Sequence, residues 1–155
     1  MRVTDFLADQ DVPFETVLHA PAFTAQKLAR FTHVPGRQVA KSVLLRGPRQ
    51  YYLAVVPAIH HVDLEALADA LGEPIRLATE DEVNDLFLDC ERGALTPFGS
   101  LYGLVTLLDT SFHPDALVLF EAQRHFLAIR MLCRDFESLE HPRRLSFARR
   151  ARPGV

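Results

Sequence analysis

The sequence predicts an α/β fold, namely a single domain in which helices pack on a mixed β-sheet. Segments with helical and strand-like hydrophobic patterns alternate along the chain. At least two pairs of predicted strands are joined by short turns, which makes them antiparallel neighbours and excludes a purely parallel sheet. The chain has 155 residues and is 48% hydrophobic, enough for one domain with a buried core.

The first part of the chain is predicted to contain two short helices with a strand between them. Thr4 is placed to cap the first helix, and the strand Phe14–Leu18 follows Pro13, which cannot continue a helix. Thr24 is expected to cap the second helix, whose spacing places Leu28 and Phe31 on the inner face.

A β-hairpin and a capped helix are predicted next. Lys41–Arg46 and Tyr51–Val56 are apolar runs separated by a turn that contains glycine and proline. Asp63 can cap the following helix, which should run to Leu71 and end at Gly72, because glycine readily adopts the left-handed conformation at a helix C-terminus.

The second half of the chain repeats this alternation. Thr79 and Glu82 have the spacing of a capping box, which predicts a helix ending near Phe87. A turn is expected around Gln123. The other predicted elements are the strands Ile75–Leu77, Leu104–Leu108, Ala116–Phe120 and Phe126–Leu132 and the closing helix Arg134–Leu139.

Composition narrows the possible partners and the cellular location. The formal net charge is −3, whereas a dedicated duplex-DNA binder is usually basic, so no DNA partner is expected. No secretory signal and no apolar run long enough to span a membrane is found, and two isolated cysteines suit a reducing compartment. We therefore expect a cytoplasmic protein without a membrane partner. Its domain should cover residues 1–142, followed by a basic C-terminal tail, residues 143–155, whose last residues, 149–155, should be frayed. Ordinary surface charge is favoured for the arginines of this tail over a basic patch that contacts nucleic acid.

Several familiar catalytic motifs are absent from the sequence. It contains no His-Glu-x-x-His, no Gly-x-Ser-x-Gly and no phosphate-binding glycine loop, so we expect no metal and no cofactor. Cys90 is flanked by two carboxylates that should raise its thiol pKa, which favours a packing role over a nucleophilic one.

Three features remain as candidates for chemistry, each with a plain structural alternative. Lys41 enters an apolar strand, so its ammonium either faces an anion at the mouth of a cavity or reaches to solvent at the surface. The loop Arg92–Gly99 could aim backbone amides at a carbonyl oxygen, or it could simply connect a helix to a strand. His125, beside a predicted turn, could bind substrate or transfer a proton, or it could merely be exposed.

Taken in order, these features resemble a known family pattern. The segments that carry the resemblance are His19-Ala20-Pro21, Thr24-Ala25, Gly36, Ala40–Leu44, Gly93–Pro97, Thr106–Asp109 and Phe120–His125. They are similar to the YbaK and prolyl-tRNA-synthetase-associated (EbsC-like) deacylases, over roughly Phe6 to Phe136. The resemblance implies a mixed α/β fold and a trans-editing enzyme that hydrolyses the ester of a mischarged amino acid on tRNA without a metal.

The resemblance also implies roles for individual residues. Lys41 would hold the terminal nucleotide, the amides of Gly93–Pro97 would bind the aminoacyl carbonyl, and the 2′-hydroxyl of the tRNA could assist the attacking water. The implied catalytic residues are Lys41, Gly93, Thr96 and Pro97, and the implied substrate-binding residues are His19, Thr24, Ser42, Phe98, Gly99 and His125. The implied partners are the aminoacylated 3′ end of tRNA and, as a candidate, prolyl-tRNA synthetase.

The same comparison favours alanine over cysteine as the amino acid removed, on tRNAPro. Cysteine-removing members carry a tyrosine at the position of Leu18, and a serine and an aspartate at the positions of Glu121 and Ala128. His125 falls where alanine-removing members often have a histidine. Two alternatives stay open: a catalytically inactive module of the same fold that binds tRNA or a synthetase, and a hydrolase of unrelated small esters or amides.

Overall fold

The computed structural model describes residues 2–150 of the chain. Its helices are α1 (Val3–Ala8), α2 (Ala25–Thr32), α3 (Leu64–Leu71), α4 (Glu80–Leu86) and α5 (Cys133–Glu140). Its strands are β1 (Glu15–Leu18), β2 (Ala40–Arg46), β3 (Tyr51–Pro57), β4 (His60–Val62), β5 (Arg76–Leu77), β6 (Val105–Asp109), β7 (Leu117–Arg124), β8 (Leu127–Leu132), β9 (Arg143–Leu145) and β10 (Ala148–Arg150).

The strands form a five-stranded mixed sheet and two smaller ones, which confirms the predicted fold class. The large sheet has the order β5-β2-β3-β6-β9, in which β2 and β3 form the predicted antiparallel hairpin. Strand β6 runs parallel to both β3 and β9. The smaller sheets have the orders β1-β8-β7 and β10-β4.

Three predicted helix starts are confirmed by their capping hydrogen bonds. The Thr24 hydroxyl accepts from the Lys27 amide at 3.1 Å, and Asp63 accepts from the amide of Ala66 at 3.1 Å. At α4, Thr79 and Glu82 form the complete capping box. Each cap satisfies an amide that has no partner within its own helix.

Two predicted details near the N-terminus are wrong. Arg2 rather than Thr4 occupies the N-cap position of α1, and its side chain makes no capping hydrogen bond. Phe31 is 44% exposed, whereas Leu28 and Ala29 are the buried residues of α2. The helix ends one residue after Phe31.

The predicted turn around Gln123 is also displaced. Strand β7 continues to Arg124, and Gln123 lies within it at a β-bulge with a φ of 72°. The chain therefore reverses at His125 and Phe126. The bulge is what brings His125 to the end of the strand, since it inserts unpaired residues before the turn.

The described part of the predicted tail, residues 143–150, forms two strands, so the expected fraying is wrong for residues 149 and 150. Strand β9 pairs with β6, and β10 pairs with β4. Asp109 anchors this segment, because its carboxylate accepts from the amides of Phe147 at 2.9 Å and Ala148 at 2.8 Å. The remaining part of the predicted tail, residues 151–155, lies outside the described residues.

The hydrophobic core lies on both faces of the large sheet. One cluster holds Phe98 among Phe120 and Phe136, with ring centroids 5.7 Å and 5.0 Å away in edge-to-face contact. A second cluster packs α3 and the buried Phe147 against the opposite face. Central strand β3 is buried from its second residue onward, as expected for a strand covered on both sides.

Candidate active site

A cavity of about 450 Å³ opens between α2, β2, the start of the Arg92–Gly99 loop and β7. Four predicted site residues, Lys41, Gly93, Thr24 and Ser42, lie in its wall, and Leu95 and Glu121 join them. Lys41 and Glu121 are the two charged side chains among the described lining residues. A concave site with few polar groups and one charge of each sign suits a small polar ligand.

Lys41 lies at this cavity with its ammonium held in place. Its side chain is half-buried, and Nζ donates to the carbonyl oxygen of His60 at 2.7 Å. Burial lowers the pKa of Lys41 below its ordinary value. Because an ammonium has three N–H donors and the His60 contact uses one, the group can still bind an anion.

Ser42 adds an unsatisfied polar atom beside Lys41. Its hydroxyl oxygen is buried and has no hydrogen-bond partner within residues 2–150. A second cavity of about 300 Å³ shares Lys41, Ser42, Gly93 and Leu95 with the first and continues towards α4. A buried hydroxyl without a partner is costly, so a ligand or water that reaches it gains a hydrogen bond.

Gly93 provides the backbone conformation that turns the loop over the cavity. Its φ is 83°, in the left-handed region that favours glycine, and a Cβ there would lie 3.6 Å from His125 Cε1. The Ala94 amide already donates to Glu91 at 2.9 Å, and Pro97 has no amide hydrogen. Of the expected oxyanion donors, the amides of Gly93 and Leu95 are therefore those available at the cavity wall.

The second half of this loop does not reach the cavity. Thr96 and Pro97 are buried outside its wall, and Phe98 is a core side chain. Gly99 is packed so closely that an added Cβ would collide with Thr106 Oγ1. After Leu95 the loop therefore enters the core, outside the cavity wall, and the site roles of these four residues stay predictions.

His125 lies behind the cavity wall and holds three segments together. Its Nδ1 is 3.0 Å from the carbonyl oxygen of Ala22, and its Nε2 is 2.5 Å from that of Arg92. Both contacts are to backbone carbonyl oxygens, which can only accept a hydrogen bond. The ring also contacts the ring of Phe23, with centroids 4.7 Å apart.

Glu121 is a buried carboxylate in the cavity wall that the sequence analysis did not assign to the site. It is 8% exposed, and its Oε2 is 3.3 Å from His125 Nδ1. That contact is an ion-pair distance without hydrogen-bond alignment, and Oε2 has no hydrogen-bond donor within the described part of the chain. Burial raises the pKa of Glu121 to about 7, against the opposing effect of His125.

Two further predicted residues have supporting positions. The Thr24 hydroxyl is used in capping α2, although the residue lines the cavity. His19 is outside the wall; its amide donates to Phe126 at 3.0 Å, and its Nδ1 is 2.7 Å from the carbonyl oxygen of Ala20. Both residues position the β1–α2 connection against the β7–β8 turn.

Other lining residues were missed because their signals are weak in a single sequence. Phe23 precedes the predicted cap Thr24, and Gln26 follows it by two residues. Both therefore lie within one helical turn of a residue that was predicted to bind substrate. For Glu121, the signal is a carboxylate inside an apolar strand, where burial requires a charged or hydrogen-bonding partner.

Cys90 has the inert character expected of it. Burial, together with the nearby Asp89 carboxylate, raises the pKa of the Cys90 thiol to about 11. Its sulfur is 3.2 Å from the Tyr102 hydroxyl. A thiol of this kind is protonated at neutral pH and is a poor nucleophile.

No helix within residues 2–150 is long and apolar enough to cross a membrane. Within the same range, no group of three or more histidine, cysteine, aspartate or glutamate side chains could hold a metal ion.

Comparison with known proteins gives one family match and one curated relative. The family described as the aminoacyl-tRNA editing domain matches residues 19–139. The prolyl-tRNA editing protein ProX of Acetoanaerobium sticklandii is 28% identical over 98 residues. That alignment covers 61% of this chain and 59% of the relative, so the chain matches about three fifths of the relative's length.

Solved structures show the same fold at low sequence identity. The crystal structure of a hypothetical protein has a TM-score of 0.87 and 16% identity, with 96% of this chain and 99% of that chain covered. A crystal structure of a proposed trans-editing enzyme for prolyl-tRNA synthetase has a TM-score of 0.72 and 22% identity, with coverage of 87% and 86%. At these identities, the two structures establish the shared fold alone.

Proposed function

The chain belongs to the aminoacyl-tRNA editing domain family, and from that premise we propose that it hydrolyses the ester between a mischarged amino acid and tRNA. The observation that carries the proposal is the cavity in which the half-buried ammonium of Lys41 shares a wall with the exposed backbone of Gly93.

Ester hydrolysis requires charge stabilisation at two places. Lys41 would hold a phosphate of the terminal nucleotide, since its ammonium is a compact charge with donors to spare. The Gly93 and Leu95 amides would stabilise the negative charge that develops on the carbonyl oxygen. Catalysis would rest mainly on positioning the ester and on these donors, with the tRNA 2′-hydroxyl assisting the attacking water.

We further propose that the amino acid is alanine rather than cysteine and that the tRNA is tRNAPro. Support comes from the histidine at position 125 and from Leu18, Glu121 and Ala128, which depart from the cysteine-removing pattern. The curated relative is named a prolyl-tRNA editing protein. A synthetase that selects a small apolar side chain gains only about 1–3 kcal/mol per methylene, which explains the need for a second hydrolytic site.

The test is release of radiolabelled amino acid from Ala-tRNAPro, Cys-tRNAPro and Pro-tRNAPro. We expect rapid release of alanine, with cysteine and the cognate proline retained. Preferential release of cysteine would contradict the substrate assignment while leaving the deacylase activity in place. If tRNA is bound but no amino acid is released, the chain is a binding module and not an enzyme.

A further inference from the structure

Glu121 is the one acidic side chain among the described residues that line the cavity. The residue is 8% exposed, and its buried Oε2 has no hydrogen-bond donor within residues 2–150. A carboxylate in this position is costly unless a cation or a donor reaches it. The proposed mechanism gives Glu121 no role, so its presence in the cavity wall needs another explanation.

The neighbouring histidine only partly compensates this charge. His125 Nδ1 is closer to the Ala22 carbonyl oxygen, at 3.0 Å, than to Glu121 Oε2, at 3.3 Å. Its other ring nitrogen contacts the Arg92 carbonyl oxygen at 2.5 Å. The imidazole is thus fixed by two backbone carbonyls, and Oε2 of the cavity-lining residue Glu121 keeps unused acceptor capacity within the described part of the chain.

We propose that Glu121 binds the α-ammonium group of the aminoacyl ester, an inference that rests on the proposed function. Lys41 and Glu121 give the cavity a cation and an anion, and the 3′ end of an aminoacyl-tRNA carries the complementary pair. Its phosphate is the anion, and its α-ammonium is the cation. The ester carbonyl lies between these charges along the substrate, where the Gly93 backbone would meet it. A charge-assisted hydrogen bond to the ammonium would then orient the carbonyl.

The binding test uses two amide-linked ligands that cannot be hydrolysed. One is 3′-alanylamino-3′-deoxyadenosine, and the other is its lactyl counterpart, in which a hydroxyl replaces the amine. At pH 7, we expect the wild type to bind the alanyl ligand about tenfold more tightly, the difference typical of one charge-assisted hydrogen bond. In Glu121→Gln, we expect this ratio to fall to about one, with the lactyl affinity unchanged.

A matched control removes one negative charge elsewhere. Glu15 lies on β1, pairs with Arg130 at 2.7 Å and has a mostly exposed side chain. Glu15→Gln should keep the wild-type ratio of alanyl to lactyl affinity. Equal affinities of the wild type for both ligands would overturn the proposal without reference to any variant. An unchanged ratio in Glu121→Gln would overturn it as well.

Hydrolysis of alanyl-tRNA and lactyl-tRNA separates this role from general-base catalysis. A general base would act on the attacking water, so Glu121→Gln would slow both esters by the same factor, which would overturn the proposal. Recognition of the ammonium predicts that the variant slows the alanyl ester about tenfold and spares the lactyl ester. Selective alanyl binding without hydrolysis would refute the proposed enzyme but keep the role of Glu121.

Discussion

At the scale of single residues, two of the six buried side-chain atoms that lack a hydrogen-bond partner within residues 2–150 belong to residues of the cavity wall. Within residues 2–150, the Ser42 hydroxyl and Glu121 Oε2 are buried at the cavity without a hydrogen-bond partner, and Lys41 has one carbonyl contact. Folding alone gains nothing from such groups, because each lost its hydration. Their arrangement is intelligible if a ligand completes it.

Lys41 and Gly93 are visible locally as candidates, one as a lysine inside an apolar strand and the other as a glycine in a loop, but the family resemblance and not the local pattern selected them. The structure places Thr96 and Phe98 in the core, outside the cavity wall, because burial of a loop depends on tertiary packing that a local pattern does not show. Glu121 was missed because its partner His125 becomes a neighbour only through the bulge in β7.

The first residue-scale prediction concerns Gly93. Gly93→Ala should lower the free energy of unfolding by about 1–2 kcal/mol, since alanine is strained in the left-handed region. It should also slow deacylation at least about tenfold, because relief of the strained φ would displace the loop amides from the carbonyl.

Gly72 offers a matched control for this backbone effect. It has a φ of 71°, lies at the end of α3, and an added Cβ would contact nothing within 4 Å. Gly72→Ala should therefore lose similar stability in chemical denaturation but keep its deacylation rate. Equal activity of both alanine variants would exclude a role for the Gly93 backbone.

At the scale of elements, three of the four predicted helix caps were correct, whereas the cap of α1 and the strands at the C-terminal end were not predicted correctly. The starts of α2, α3 and α4 follow from side-chain caps that are local in sequence. Strands β9 and β10 could not be predicted, because arginine-rich triplets carry no strand periodicity. They form because their sheet partners β6 and β4 accept them.

Asp109 is the side chain that couples these C-terminal strands to the sheet. Burial alone would raise its pKa, but hydrogen bonds from Ser111 and from the Phe147 and Ala148 amides outweigh it and hold the pKa below its ordinary value. Because the folded-state pKa is lowered, the ionised carboxylate stabilises the fold at pH values above the unfolded-state pKa. That contribution is lost as the pH falls through the folded-state pKa.

Asp109→Asn should therefore lower the free energy of unfolding by roughly 1–3 kcal/mol at pH 7. The difference from wild type should shrink as the pH falls below about 3.9, the unfolded-state pKa, and should vanish once the folded-state carboxylate is also protonated. Urea denaturation across pH 3–7 measures this, with Asp115→Asn as a surface control, since that carboxylate pairs with Arg134 and is mostly exposed. A pH-independent difference would mean that the charge of Asp109 does not stabilise the strands.

At the scale of the whole molecule, the sheet supports the cavity, and the residues that line it come from separate segments of the chain. Strand β2 contributes Lys41 and Ser42, the loop contributes Gly93, and β7 contributes Glu121. The α/β class and the hairpin were predictable, because hydrophobic period and turn residues encode them. The convergence of three distant segments was not, since it depends on the parallel pairing of β3 with β6 and on the β7 bulge.

The most direct test of the account compares the two lysines of the chain. Lys41 contacts the cavity, whereas Lys27 is exposed on α2 outside the cavity wall. Alanine release from Ala-tRNAPro should fall about 100-fold in Lys41→Ala, because the ester loses its positioning contact, and should be unchanged in Lys27→Ala. Equal rates for wild type and Lys41→Ala, with both proteins folded, would contradict the assignment of this cavity as the deacylation site.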